Sequence, residues 1–103
     1  MANPLQPKCI KIIEQEFGGY VLNVMKSSKS GTGDLIACIQ GVFYLFEIKW
    51  KSDKPSELQK ATINKVIDSG GKAYFITSVD QLRYIVINDI APTKHPLKNR
   101  LVL

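Results

Sequence analysis

Three ionisable residues frame the most apolar part of this chain. Asp34 precedes an uncharged run that extends from residue 35 to residue 46, and Glu47 and Lys49 follow that run closely. A segment this apolar predicts buried strands, and buried strands do not ordinarily end in two carboxylates and an ammonium group. Two carboxylates and a lysine at one place can hold a divalent metal ion and act on a phosphodiester bond.

Whether the three residues meet depends on a turn inside the run. The Gln-Gly pair at positions 40–41 predicts a two-residue hairpin turn, although this signal is weaker than Asn-Gly. The register imposed by such a turn places Asp34 directly opposite Glu47. Lys49, two residues beyond Glu47, points to the same face of the strand. A β-bulge would shift this register, so the convergence is a prediction.

Opposed carboxylates repel each other, and three arrangements would relieve the repulsion. The two groups could share a proton, they could pair with Lys49, or they could bind a hard cation such as Mg²⁺. The surrounding lysines favour the cation. A metal between Asp34 and Glu47 would polarise a phosphate oxygen and acidify a bound water, and Lys49 would orient that water or offset developing charge. The alternative is an incidental ion pair at exposed strand ends.

The charge balance favours an anionic partner. Lys and Arg number 14 against 9 Asp and Glu, for a formal net charge of +5. Twelve of the cations are lysines, which suit sequence-independent contact with phosphates, although a solvated basic face is the alternative. Four lysines close to the acidic residues are the predicted nucleic-acid contacts: Lys26, Lys29, Lys51 and Lys54.

Periodicity and turn signals predict a mixed α/β fold with elements in the order helix, three strands, helix, strand, helix. The three strands should be antiparallel because short loops join them, and the second helix should cross over to a fourth, parallel strand. Two capping boxes, Ser56 with Gln59 and Ser78 with Gln81, mark the starts of the second and third helices. The predicted elements are a first helix ending at Gly18-Gly19, strands at 20–25, 35–39 and 42–50, a helix at 56–70, a strand at 73–77 and a final helix through residue 86.

Length and composition predict one domain, 1–103, with a core at about 4–90. We see neither a run of apolar residues that could cross a membrane nor a signal peptide. The two cysteines, Cys9 and Cys38, are expected to be reduced core thiols of an intracellular protein. The segment 91–103 is predicted to be a tail, and its apolar end, Leu101–Leu103, is a candidate dimer contact.

The ordered set of residues resembles the PD-(D/E)xK nuclease superfamily and, within it, the VRR-NUC family of virus-type replication-repair nucleases. The resemblance covers about residues 10–80 and departs at Gly33, where that family often has proline before the aspartate. It rests on Glu14 shortly before Gly18-Gly19, the segment GTGDLIA, Gly41, Glu47-x-Lys49, Gln59 and Gly70-Gly71.

This resemblance implies a restriction-endonuclease-like αβββαβ(α) core around a central mixed four-stranded sheet. It implies Asp34, Glu47 and the backbone carbonyl of Ile48 as metal ligands and Lys49 as the catalytic lysine. Gln59 would be a supporting catalytic residue, and we also expect it to cap its helix.

Glu14 of the first helix would reach the metal through water, although it could instead be solvated. The activity implied is that of a Mg²⁺-dependent endonuclease, with Mn²⁺ as a substitute, that cuts branched DNA such as Holliday junctions. Small standalone members of the family act as homodimers. The expected location is cytoplasmic, in the host if the chain is phage-encoded, and replication, recombination and DNA repair all fit this activity. The rival hypotheses are an inactive nucleic-acid-binding module of the same fold and a protein-interaction domain.

Overall fold

The computed structural model describes residues 4–24 and 34–98, and at Asp34 it describes the backbone alone. The predicted order of helices and strands is confirmed. Within the described ranges, no helix has the length and apolar character needed to cross a bilayer. The elements are α1 (Leu5–Lys11), continued by a π-helical segment (Ile12–Glu16), β1 (Tyr20–Val24), β2 (Asp34–Ile39), β3 (Val42–Ile48), α2 (Glu57–Asp68), β4 (Lys72–Ile76) and α3 (Val79–Asn88).

The four strands form one mixed sheet in the order β1-β2-β3-β4. The first three strands pair in antiparallel fashion, and β4 pairs with β3 in parallel. Because β3 and β4 are parallel neighbours, α2 must carry the chain back along the sheet between them. The predicted crossover through the second helix, and with it the mixed sheet, is therefore confirmed.

The β2–β3 hairpin turns at Gln40 and Gly41, which both have positive φ angles, 50° and 81°. Positive φ at both central residues defines a type I′ turn, whose twist matches that of the two strands. The pairing runs without interruption from Ile39 opposite Val42 to Asp34 opposite Glu47. The register predicted from the turn is confirmed, and no bulge displaces it.

One face of the sheet carries the main core, to which α1, the π-helical segment and α3 contribute. The rings of Tyr44 and Phe46 stack there with centroids 5.3 Å apart. Cys9 is fully buried in this core, and burial raises the pKa of its thiol to about 11, so the thiol stays protonated. Both cysteines are free, but the prediction of two core thiols is wrong for Cys38, which is only partly buried and lies on the opposite face of the sheet. The fully buried side chains of this core include Ile13, Leu35, Phe46, Ile48, Ile76 and Leu82.

The other face of the sheet is covered only in part. Among the described elements α2 packs there, beside β4, and buries Ala61 and Ile63. Farther from α2 lies an apolar surface that we call the open face, in which Tyr20 is 67% exposed and Phe43 66% exposed. The register arranges it in two rows across β1, β2 and β3, which consist of Tyr20, Cys38 and Phe43, and of Leu22, Ile36 and Leu45.

After α3, residues 91–98 run along α2 in the opposite direction. The Asn64 side chain both accepts from the His95 backbone N–H (2.7 Å) and donates to the His95 carbonyl (2.8 Å). Lys94 forms a salt bridge with Asp68, and the Lys98 backbone N–H donates to Glu57 Oε1 (2.5 Å). The described part of the predicted tail is thus docked on its own chain, whereas Leu101–Leu103 lie outside the described residues.

Candidate metal and phosphodiester site

Glu47 and Lys49 lie at the end of β3, on the face that α2 covers. Alternation along the strand sends Phe46 and Ile48 into the main core and Glu47 to the opposite side. Glu47 is 2% exposed and Lys49 4% exposed. The Lys49 backbone N–H donates to the Ile76 carbonyl (2.8 Å), which extends the pairing with β4 past the end of the strand. Two ionisable side chains are therefore held almost fully buried on a rigid support.

Gln59 of α2 connects the two buried side chains. Its Oε1 accepts a hydrogen bond from Lys49 Nζ at 2.6 Å, and its Nε2 donates to Glu47 Oε1 at 3.3 Å. The partners define which end of the amide is oxygen, since an ammonium group can only donate and a carboxylate accepts. Burying a charge without partners is costly, so the bridging amide is part of what allows these side chains to be buried here.

The same glutamine belongs to the capping box of α2. The Ser56 backbone N–H donates to Gln59 Oε1 at 2.9 Å, and the Gln59 backbone N–H donates to Ser56 Oγ at 3.1 Å. Helix capping and contact with the site were both expected of Gln59, and the structure has both sets of contacts. The amide oxygen can serve both because it has two lone pairs, one for the Ser56 N–H and one for Lys49 Nζ.

Asp34 and Ile48 complete the predicted set of metal ligands. The Asp34 backbone lies opposite Glu47 in the β2–β3 register, and Ile48 is the last residue of β3. Among the residues whose side chains the structure describes, no group of three or more His, Cys, Asp and Glu could hold a metal ion. The predicted site consists of the carboxylates of Asp34 and Glu47 and a backbone carbonyl. The structure describes the side chain of Glu47 but not that of Asp34, so this site stays a prediction. Its oxygen donors are of the kind that Mg²⁺ prefers.

Glu14 lies in the π-helical segment, where its side chain is exposed. The neighbouring Glu16 makes a bidentate contact with Arg83 of α3, with distances of 2.9 Å to Nε and 2.7 Å to Nη2. These hydrogen bonds to Arg83 are the main cause that lowers the pKa of Glu16. Glu16 therefore joins two helices. The metal contact predicted for Glu14 stays a prediction.

Two of the four predicted nucleic-acid contacts can be located. Lys51 and Lys54 are exposed in the loop that leads from the site to α2. Lys51 Nζ lies 5.5 Å from the ring centroid of Trp50, and that ring packs partly buried against the core. Lys26 and Lys29 lie outside the described residues.

Ser56 is the contributor that sequence reasoning assigned only to helix capping. Its backbone and side chain both contact Gln59, which in turn contacts Lys49 and Glu47. The signal for this role was present, because Ser56 and Gln59 form a capping box at the start of the helix that follows the Glu-x-Lys strand.

Comparison with known proteins places this geometry in a family. The model of the archaeal Holliday junction resolvase (Hjc) family matches residues 11–96. A solved structure described as a VRR_NUC domain is similar in fold, with a TM-score of 0.65 and 22% sequence identity over 81% of this chain and 90% of that chain. No curated protein sequence gives a significant match. The family model and the solved structure thus agree with the resemblance found in the sequence, and the solved structure confirms the fold which that resemblance implied.

Proposed function

Because the chain belongs to the archaeal Holliday junction resolvase family, we propose that it is a metal-dependent endonuclease that hydrolyses phosphodiester bonds in branched DNA. The observation that supports this most strongly is the buried Glu47–Gln59–Lys49 network at the end of β3, opposite Asp34 in the register. A carboxylate and an ammonium group buried together on adjoining positions suit a reaction in which negative charge develops on phosphate oxygens.

In this proposal Asp34, Glu47 and the Ile48 carbonyl hold Mg²⁺, with Mn²⁺ as a substitute. When bound, the metal supplies Lewis acidity toward a phosphate oxygen and lowers the pKa of a coordinated water. Lys49 orients the attacking water or offsets charge on the phosphate as the new oxygen–phosphorus bond forms and the bond to the leaving oxygen breaks. Gln59 keeps the Lys49 ammonium in place, since its Oε1 lies 2.6 Å from Nζ.

The remaining site residues have supporting roles in the proposal. Glu14, which lies in the π-helical segment, contacts the metal site through a water molecule. Lys51 and Lys54, which lie beside the site, contact DNA phosphates, and the proposal gives the same role to Lys26 and Lys29. These contacts are independent of sequence, which suits recognition of a DNA shape. Branched DNA of this kind arises in replication, recombination and repair, so the proposal includes an intracellular location.

A cleavage assay tests the substrate proposal. Labelled four-way junction, flap and plain duplex of matched sequence are incubated with the purified chain and Mg²⁺. We expect the junction to be cut in preference to duplex, because duplex DNA has no branch for the protein to select. Equal cutting of all three substrates would contradict the proposed preference for branched DNA but would still show that the chain is a nuclease. Binding of the junction without any cutting would support the inactive binding module instead.

We also propose that the chain acts as a homodimer in which two copies meet through the open face. Symmetric cutting of a junction needs two active sites, and one chain offers one. The open face exposes Tyr20, Leu22 and Phe43 together, and contiguous exposed apolar surface marks interaction sites. Its two rows continue in the register to the row of Asp34 and Glu47. A second copy seated there would adjoin the site directly.

Light scattering tests the dimer. We expect the wild-type chain to have twice the chain mass of 11.5 kDa and Phe43→Asp to have the mass of one chain, because a carboxylate in an apolar interface is strongly unfavourable. Phe43 is 66% exposed, so the change should spare the fold. Ile87→Asp is the matched control, since Ile87 is 68% exposed on α3. A monomeric wild type, or a Phe43→Asp dimer, would contradict the interface.

A further inference from the structure

The N-cap of α2 is joined to the candidate site by an unbroken series of hydrogen bonds. Resting on the proposed function, we propose that Ser56 is a positioning residue: its cap holds Gln59 so that the Gln59 amide places the Lys49 ammonium and the Glu47 carboxylate. Ser56 contacts Gln59, and Gln59 contacts Lys49 and Glu47, so Ser56 acts on the reaction through Gln59.

Four hydrogen bonds of Gln59 support this inference. Ser56 Oγ accepts from the Gln59 backbone N–H at 3.1 Å, which holds the first turn of α2. The Ser56 backbone N–H donates to Gln59 Oε1 at 2.9 Å, which orients the amide. Its backbone and its amide oxygen are both bonded to Ser56, which favours the orientation of Gln59 in which Oε1 accepts from Lys49 and Nε2 donates to Glu47.

Loss of the Ser56 hydroxyl should alter the position of Lys49, because Ser56 and Lys49 both donate to the same amide oxygen of Gln59. Oε1 has two lone pairs, and the Ser56 N–H and Lys49 Nζ occupy both. Without Oγ the Gln59 backbone N–H loses its acceptor on Ser56, so the start of α2 can shift locally even where the helix as a whole keeps its stability; the Ser56 N–H then moves away from Oε1 and the amide can rotate. Lys49 is only 4% exposed, so water is poorly placed to replace the lost acceptor. Small displacements of a catalytic group lower turnover strongly, since reacting groups must be held in narrow geometry.

The chain contains its own matched control for this inference. The N-cap of α3 is Ser78, whose Oγ accepts from the Gln81 backbone N–H at 3.1 Å, the same distance as in α2. The capping box predicted for Ser78 and Gln81 is only half formed, because Gln81 Oε1 accepts from the Thr77 backbone N–H and its Nε2 donates to the Phe75 carbonyl instead of to an ionisable group. Ser78→Ala therefore removes an equivalent cap without disturbing a glutamine that contacts the site.

The test compares four variants for junction turnover and thermal unfolding. We expect Ser56→Ala and Ser56→Gly to lower kcat about tenfold with KM changed less than about twofold. Ser56→Gly matters because glycine is nearly as good an N-cap as serine, so it removes the hydroxyl with little loss of helix stability. Ser56→Thr, which keeps a hydroxyl group at the N-cap, should have the kcat of the wild type. Ser78→Ala should lower the Tm as Ser56→Ala does and leave kcat unchanged.

A second readout keeps this inference separate from the proposed activity. The side-chain amide signals of Gln59 in a ¹⁵N-labelled sample report its orientation whether or not the protein cuts DNA. We expect them to shift in Ser56→Ala and Ser56→Gly but not in Ser78→Ala. Equal kcat in Ser56→Gly and wild type, or unmoved Gln59 signals, would overturn the positioning role. An inert wild type whose Gln59 signals behave as expected would refute the nuclease proposal alone.

Discussion

We expect Glu47→Gln to abolish junction cleavage, with a fall in kcat of roughly 10³-fold or more, while the fold and the affinity for the junction are retained. The substitution keeps the shape of the side chain and an oxygen that can accept from Gln59 Nε2, 3.3 Å away in the wild type. It removes the negative charge on which a metal contact depends. Single-turnover cleavage and equilibrium binding of the same labelled junction measure the two effects separately.

Two further site variants should have the same effect. Asp34→Ala removes the partner of Glu47 in the register, and Lys49→Met replaces the buried ammonium by an apolar group of similar length. The matched control is Asp68→Asn, which makes the same carboxylate-to-amide change at an exposed position near the end of α2. Asp68→Asn should cut like the wild type. Full nicking and cutting by Glu47→Gln would remove the basis of the proposed mechanism.

The exposed lysines should give the opposite result. Lys51→Ala with Lys54→Ala is expected to weaken junction binding and to leave turnover at saturating DNA close to that of the wild type. Each lost phosphate contact reduces the salt dependence of log K by about 0.9, so the double variant should reduce that slope by about 2. An unchanged slope would show that these two side chains, though exposed beside the site, do not contact phosphates.

The register was the part of the site that sequence could predict most sharply. A two-residue turn at Gln40 and Gly41 leaves one possible pairing, and that pairing puts Asp34 opposite Glu47. The inference worked because the side-chain period of a strand is two, so a slip of one residue would have sent the whole apolar set to the wrong face. The unexpected detail is Gln40, a residue other than glycine or asparagine in a position with φ of 50°.

Two other features of the fold could not be predicted from the sequence pattern, and each has a physical reason. The π-helical segment Ile12–Glu16 was not predicted, because the phase shift caused by one added residue cannot be recognised from the few apolar positions of so short a helix. The contacts that dock residues 91–98 on α2 include hydrogen bonds and a salt bridge. Such polar contacts have no apolar repeat in the sequence from which the docking could be predicted. A stripe of polar residues at helical spacing receives that segment, and it consists of Glu57, Asn64 and Asp68.

Gln59 illustrates why two sequence interpretations need not exclude each other. A capping-box glutamine and a glutamine that supports a catalytic lysine are expected at different places, because each role uses the amide. Here the start of α2 lies beside the end of β3, so a single amide can satisfy both. The distance between an N-cap and a neighbouring strand end is a tertiary property, and no pattern within either element contains it.

A buried glutamate and lysine are an unusual feature in a chain of 103 residues. Buried ion pairs and networks often contribute little net stability, because desolvation offsets the attraction between the charges. Retaining Glu47 and Lys49 under 5% exposure is therefore better explained by chemistry than by folding. Asp34 stands opposite Glu47 in the register, and a divalent cation that binds both acids would give this arrangement a function.

Removing the metal should accordingly change both activity and stability. We expect EDTA to abolish junction cleavage and Mg²⁺ to restore it, because the attacking water and the phosphate lose their activation without a Lewis acid. A ligand that binds only the native state at about 100 times its Kd stabilises that state by about 2.7 kcal/mol, so Mg²⁺ should raise the Tm of the wild type by roughly 10 °C.

The site variants make the metal experiment specific. Glu47→Gln should lose the Mg²⁺-dependent rise in Tm, whereas Asp68→Asn, with the same loss of one carboxylate, should retain it. Cleavage that persists in EDTA, or a Tm that Mg²⁺ raises equally in the wild type and in Glu47→Gln, would show that Asp34 and Glu47 meet in the register for a reason other than metal binding.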